Sequence, residues 1–295
     1  MHLSSPPAAP RLVFLDIDGT LTNERGDIPA SAAAAIAEAR SRGHLVFIAT
    51  GRSPLEIDPR VDALGFDGLV AGAGAYVLFE GDWIVENELT EAQTRRLAGI
   101  LDELGLDYSL QGRRGVYPTA GHRARMERVL ASFGYTRADM ENSGVRLHVL
   151  DPGEIRYDHA AKIVFDGDDP SAYDLVTARL GEEYVVVGGT LPGLGTASGE
   201  ISPRGVHKAA AIEVLAARLG RTMADTVAVG DSGNDIEMLR ACGVGVAMGN
   251  GTDAAKAVAD FVTDAVQDDG LRNAFLRLAL IAPTGGGSDA AASAA

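Results

Sequence analysis

Two aspartates placed two positions apart, Asp16 and Asp18, close an uninterrupted apolar run, Leu12-Val13-Phe14-Leu15, in the segment RLVFLDIDGT. An apolar run of this kind predicts a strand covered on both faces in a parallel sheet. Side chains two apart in an extended backbone point the same way, so the two carboxylates can converge, and Gly19 lets the chain turn away behind them. Three more polar stations follow: Thr50 with Gly51 and Arg52 after HLVFIA, Lys208 at the start of KAAAIEVLAARLG, and Asp231 with Asn234 and Asp235 after DTVAVG. Each alone reads equally well as a turn, a helix cap or a solvated charge. Together they sit at the carboxyl ends of successive buried strands, where open α/β sheets bind ligands. The chemistry that asks for this set is phosphoryl transfer. A phosphate ester repels nucleophiles, so its oxygens must be neutralised by a lysine, hydrogen-bond donors and a hard divalent cation, and a carboxylate can serve as the attacking group.

The elements that must position these residues follow a βαβ rhythm. Residues 11–20 and 44–50 are buried strands about thirty residues apart, with a helix between them that Ser31 caps and Gly43 ends. A second helix is predicted over 53–64, then the strand GLVAG and a hairpin, AYVLFEGDWIVE, turning at Gly81-Asp82. Beyond Glu86 the pattern changes to short strands (DYSLQGRRGVYP as a hairpin, RLHVL, KIVF, EYVVVGG) mixed with helices over 90–104, 122–133 and 171–180. The core rhythm resumes at Lys208 with two further strand regions, GVAMGNG and ADFVT. The fold expected is α/β: a Rossmann-like, doubly wound parallel-sheet core over 1–84 and 203–284, an α+β domain inserted over 85–202, and a disordered tail over 285–295.

Composition narrows the partners. Forty-one acids against 26 lysines and arginines give a net charge of −15, which argues against nucleic acid or an anionic membrane as partner, since both need a basic surface. Cys242 is the only cysteine, so no intrachain disulfide can form. With no signal-peptide pattern and no apolar run long enough to span a bilayer, the expectation is a soluble cytoplasmic protein, monomeric or homodimeric.

DIDGT (16–20), ATGR (49–52), GVHK (205–208) and GDSGND (230–235), in that order, resemble the four motifs of the haloacid dehalogenase superfamily. GDSGNDIEMLRACGVGVAMGN is similar to the Cof-type phosphatase branch, whose cap domain lies between the second and third motifs. The resemblance implies that Asp16 attacks phosphorus and forms a phosphoaspartate, and that Asp18 protonates the leaving alkoxide and later deprotonates water. It implies Mg2+ held by the Asp16 carboxylate, the Asp18 carbonyl and Asp231. Thr50, Gly51, Lys208 and Asn234 would bind the phosphoryl group, and Asp235 would orient Lys208 or a metal-bound water. In one departure, Ala73-Gly74-Ala75 stands where family members often carry Asn-Gly-Ala.

The function expected is a Mg2+-dependent phosphatase for a small phosphorylated metabolite, a sugar phosphate or a cofactor phosphate. A sugar phosphomutase using the same aspartate, or a weakly catalytic phosphometabolite-binding protein, are the alternatives. Arg52 and, in an arginine-rich stretch between Gln111 and Arg128, Arg113 and Arg114 are candidates for substrate selection. GAGAYV opens a hairpin rather than a helix, so it is no dinucleotide fingerprint. GGTLPGLG reads as a turn, and His122, His148, His159 and His207 lack metal-ligand spacing and read as surface or partnered histidines.

Overall fold

The computed structural model describes residues 10–142, 148, 153–189 and 195–283. The expected tail over 285–295, the strand RLHVL apart from His148, and residues 190–194 of the GGTLPGLG turn lie outside these described residues.

The first sheet grows outward from β1 (Leu12–Leu15), which pairs in parallel with β2 (Leu45–Ala49) on one side and β11 (Thr226–Gly230) on the other. β3 (Gly68–Ala71), then β4 (Tyr76–Phe79) and β5 (Asp82–Glu86), extend it beyond β2. β12 (Val244–Ala247) and β13 (Phe261–Val262) extend it beyond β11, so the order is β13-β12-β11-β1-β2-β3-β4-β5. Among these strands β4 alone runs against the others, pairing antiparallel with β3 and with β5. Winding away from β1 in both directions makes a doubly wound sheet, and the crevice between β1 and β11 is its topological switch point.

The apolar runs explain why the sheet is buried on both faces. Val13 and Leu15 with Val46 and Ile48 pack against the helices Ala30–Ser41 and Gly270–Arg277. The alternate residues Leu12, Phe14, Phe47 and Ala49 pack against the helix Lys208–Arg218, with Phe14 and Phe47 stacked at 5.0 Å. Burying each of the valine, leucine, isoleucine and phenylalanine side chains contributes about 1.5–3 kcal/mol.

Between β5 and β11 the chain builds a second, antiparallel sheet in the order β7-β6-β8-β10-β9: β6 (Asp107–Gly112), β7 (Gly115–Pro118), β8 (Lys162–Asp166), β9 (Tyr184–Gly188) and β10 (Ser198–Pro203). Ile163 and Phe165 face the helices Glu91–Glu103 and Ala172–Leu180, which supply Leu97, Leu101, Val176 and Leu180. Lys162 and Asp166 alternate to the opposite face.

Three local expectations change. Residues 53–64 form a 3-10 turn, Pro54–Glu56, and a short helix, Pro59–Asp62, because Pro59 forces Asp58 into an extended conformation (ψ 132°). Ser31 does not cap its helix, which begins at Ala30 behind Pro29, and its hydroxyl donates instead to Asp269. The β4–β5 turn falls on Glu80-Gly81, both at positive φ, with Asp82 already in the strand.

Candidate active site

β1 and β11 are neighbours, so the loops leaving their carboxyl ends meet, and those loops carry Asp16 and Asp231. Lys208, fully buried at the first turn of its helix, donates from Nζ to Asp16 Oδ1 and to Asp235 Oδ1, both at 2.6 Å. Its position depends on the turn Gly72–Gly74: a Cβ on Gly74 (φ 103°) would lie 2.3 Å from the His207 carbonyl oxygen. Only glycine lets the turn approach the helix start this closely. Beside it Ala73 holds a left-handed conformation (φ 55°, ψ 31°), which asparagine tolerates better than alanine. That accounts for the unusual Ala-Gly-Ala as a small local cost.

Asp235 is fully committed. Oδ1 meets Lys208, and Oδ2 accepts from the backbone N–H groups of Asp231 (2.9 Å) and Ser232 (3.0 Å), bending the 231–235 loop around itself. Asn234 accepts from Ser232 Oγ at 2.9 Å, and its Nδ2 lies against Gly51, 3.0 Å from where a Cβ would stand. Thr50 is buried at the end of β2, its Oγ1 accepting from the Arg52 N–H at 3.1 Å. Gly19 turns at φ 81° directly over Asp231, whose Oδ2 would be 2.4 Å from an added Cβ.

Thus Asp16, Lys208, Asp231 and Asp235 converge, and Thr50, Gly51 and Asn234 line the neighbouring loops. Asp18, more exposed, turns its carboxylate to Arg52, which grips it at 2.6 and 2.8 Å. Arg113 and Arg114 have partners within the chain. Arg113 pairs with Glu86 and lies over the Trp83 ring, and Arg114 meets His159 Nε2 at 3.0 Å. Both anchor the tip of the β6–β7 hairpin, where the Arg113 N–H also donates to the Tyr76 hydroxyl. His207 accepts the Ala210 N–H as a helix cap, and His122, His148 and His159 all have side-chain partners. Sequence reasoning missed Asn250, whose Nδ2 holds the Gly19 carbonyl at 2.7 Å while its Oδ1 accepts from Val266 N–H. GN after the β12 strand was its only signal.

The electrostatics are those of too many acids in too little water. Burial pushes the Asp16 carboxyl well up; Lys208 opposes this, while Asp235 and Asp18 add to it. Burial, then Asp235, pushes Asp231 up to about 7. Burial disfavours the Lys208 cation, but Asp16 and Asp235 more than offset it and hold its value above the ordinary one. Carboxylate oxygens of Asp16, Asp231 and Asp235 lie within 4.8 Å of one another. Asp231 Oδ1 is buried with no hydrogen-bond partner, an orphan that a folded chain seldom leaves. Hard oxygen donors, an orphaned carboxylate oxygen and three acids facing one lysine suit a divalent cation.

The family model for haloacid dehalogenase-like hydrolases matches residues 13–275. YkrA of Bacillus subtilis (strain 168) is 31% identical over 275 residues, covering 92% of this chain and 98% of YkrA. The 5-amino-6-(5-phospho-D-ribitylamino)uracil phosphatase YcsE of the same organism is 26% identical over 279 residues, 90% of this chain and 94% of YcsE. Among solved structures, a protein from Geobacillus kaustophilus HTA426 superposes with a TM-score of 0.77 at 29% identity, covering 92% of this chain and all of that one. The chain belongs to the haloacid dehalogenase-like hydrolases. Within them it is a phosphatase of the Cof-type branch. No described helix is long and apolar enough to cross a membrane.

Proposed function

We propose that the chain hydrolyses the phosphate monoester of a small sugar- or polyol-like metabolite in two steps on Asp16, in a cytoplasmic setting. The carrying observation is Asp16 at the switch point, oriented by a fully buried lysine at 2.6 Å, beside the unpartnered Asp231 oxygen. In the first step an Asp16 oxygen forms a bond to phosphorus as the bond from phosphorus to the ester oxygen breaks. The two-oxygen pair of Asp18 with Arg52 is its ionised form, so Asp18 takes up a proton on one oxygen while Arg52 keeps the other, and gives that proton to the departing alkoxide. In the second, Asp18 takes a proton from water, whose oxygen attacks phosphorus and frees Asp16 and inorganic phosphate. Lys208, Thr50, the Gly51 N–H and Asn234 bind the phosphoryl oxygens, and Asp235 keeps Lys208 extended towards Asp16. The Asp16 and Asp231 carboxylates and the Asp18 carbonyl would hold Mg2+, which supplies positive charge to offset that of the phosphoryl oxygens.

The second sheet and its helices, which follow β5 and end with β10 at Pro203 where 85–202 was expected, serve in this reading as the cap that selects the organic part. The name of YcsE, a phosphatase of a phosphoribityl compound, supports a polyol-like leaving group. A phosphate-release screen over sugar phosphates, polyol phosphates, nucleotides and cofactor phosphates tests the reading. Turnover should concentrate in the first two groups and vanish in Asp16→Asn. Release from none of them, or equal release by the variant, rejects it.

A further inference from the structure

A buried chain of charged groups crosses from the catalytic sheet to the second sheet, and the chemistry above leaves it unused. Glu56 meets His148 Nε2; His148 Nδ1 faces His122 Nε2 at 3.3 Å; His122 Nδ1 meets Asp166, whose other oxygen takes Arg125. Glu56, His148, His122, Asp166 and Arg125 are all buried. The two imidazole centroids are 5.5 Å apart with planes inclined at 49°, so the rings meet end on rather than stack.

Proton counting decides what this arrangement needs. Against the effect of its burial, His148, Lys162 and the Ser53 N–H at 2.8 Å hold Glu56 below its ordinary value, and Asp166 is bonded to an arginine, so both acids act as ionised acceptors. The outer nitrogens, His148 Nε2 and His122 Nδ1, must then both carry hydrogen. Two neutral imidazoles have one N–H each, which leaves lone pair against lone pair at the inner contact. A third proton turns that contact into a hydrogen bond. We infer that His148 and His122 share three ring protons and clamp Glu56, on the loop that carries Arg52, to Asp166 of β8, and that they are thereby positioning residues for Asp18. The inference rests on the proposed function for its link to catalysis.

The surroundings assign the extra proton. Burial holds His122 below its ordinary value despite Asp166, which suits its Nε2 to be the acceptor of the inner bond. Burial acts to raise Glu56, but His148 and Lys162 draw it down, keeping it ionised. The charged groups facing the pair among the described residues are Glu56, Asp166, Asp107 and Arg125, with Lys162 acting on Glu56. From Glu56 the link to the site is short: its carbonyl accepts from Arg52 Nη1 at 3.0 Å, and the other two Arg52 nitrogens hold Asp18. Ser53 Oγ donates to the Gly112 carbonyl at 2.9 Å, a second tie between the same loop and β6. Loss of the third proton as pH rises leaves facing lone pairs, slackens the loop and frees Arg52 and Asp18.

Nitrogen-15 NMR of the histidine rings in the full chain, run beside the pH profile of kcat, tests this. His148 should show two ring protons and His122 one, on Nδ1, wherever the enzyme is fully active. The loss of the His148 proton should coincide with the alkaline fall of kcat. His148→Gln should lower kcat for a sugar phosphate about tenfold with KM nearly unchanged, and lower it less for p-nitrophenyl phosphate, whose leaving group needs no proton. A single ring proton on His148 throughout the active range overturns the clamp, and this spectrum requires no variant. A His148→Gln enzyme with wild-type kcat and alkaline limb overturns the positioning role. If the wild type releases no phosphate from any ester, the proposed function fails, and the ring spectra still decide for or against the shared proton.

Discussion

Arg52 holds Asp18 by two nitrogens, Nε to Oδ2 at 2.8 Å and Nη2 to Oδ1 at 2.6 Å, while its third nitrogen holds the Glu56 carbonyl. A planar fork fixes the direction of a carboxylate as a lysine cannot. Arg52→Lys keeps the charge and should still lower kcat for a sugar phosphate about tenfold or more, with a smaller loss for p-nitrophenyl phosphate. Equal losses for the two esters would show that Arg52 acts on the phosphoryl group and not on the proton carried by Asp18.

Arg113 pairs its charge with Glu86, and Arg114 bonds to His159 Nε2, at the docked hairpin tip. Their joint replacement by alanine is therefore expected to lower kcat/KM for a sugar phosphate and for p-nitrophenyl phosphate by the same factor, and to lower Tm. A loss confined to the sugar phosphate, about tenfold or more, would restore them as direct selectors of substrate.

The Gly72–Gly74 turn gives a paired stability test. Gly74→Ala drives a Cβ into the His207 carbonyl and should cost about 2 kcal/mol or more, with kcat falling because Lys208 moves with its helix. Ala73→Gly relieves the left-handed alanine and should raise stability by up to about 1 kcal/mol. Denaturant melts read both, and opposite signs are the expected result. A neutral Gly74→Ala would mean that the turn does not position the helix.

Metal and pH are linked through Asp231. Its folded value, about 7, lies above its ordinary value of 3.8, so the native chain binds a proton that the unfolded chain releases between them. The metal-free protein should lose stability as pH rises through that interval. Saturating Mg2+ should remove the fall, so the gain in Tm from Mg2+ grows towards pH 7. Parallel melting curves with Mg2+ and with chelator would contradict the assignment of Asp231 as a ligand.

How far the sequence alone could reach follows from what is local. Asp16, Thr50 and Asp231 stand behind apolar runs that can only be buried strands, so the doubly wound sheet and the meeting of their loops were legible from spacing. The burial of Lys208 was not, since at the head of an alanine-rich helix it reads like any solvated lysine until Asp16 and Asp235 close on it. Glu56 disappeared into an expected helix over 53–64 that Pro54 and Pro59 break. β10 escaped notice because SGEISP offers one large apolar residue, Ile201, to the second-sheet core. The clamp joins Glu56, His122, His148 and Asp166, partners up to 92 positions apart, and no local pattern marks such a chain.

The claim on which the account turns is that Asp16 is the nucleophile. Rapid acid quench of the wild-type enzyme with a phosphorus-32-labelled sugar phosphate that it turns over, followed by peptide mapping, measures this directly. The account predicts base-labile label on the peptide containing Asp16, formed and lost at rates compatible with kcat. It also predicts no label and less than about a hundredth of wild-type kcat in a folded Asp16→Asn protein. Label on another residue, or an Asp16→Asn enzyme that retains more activity than this, would contradict it.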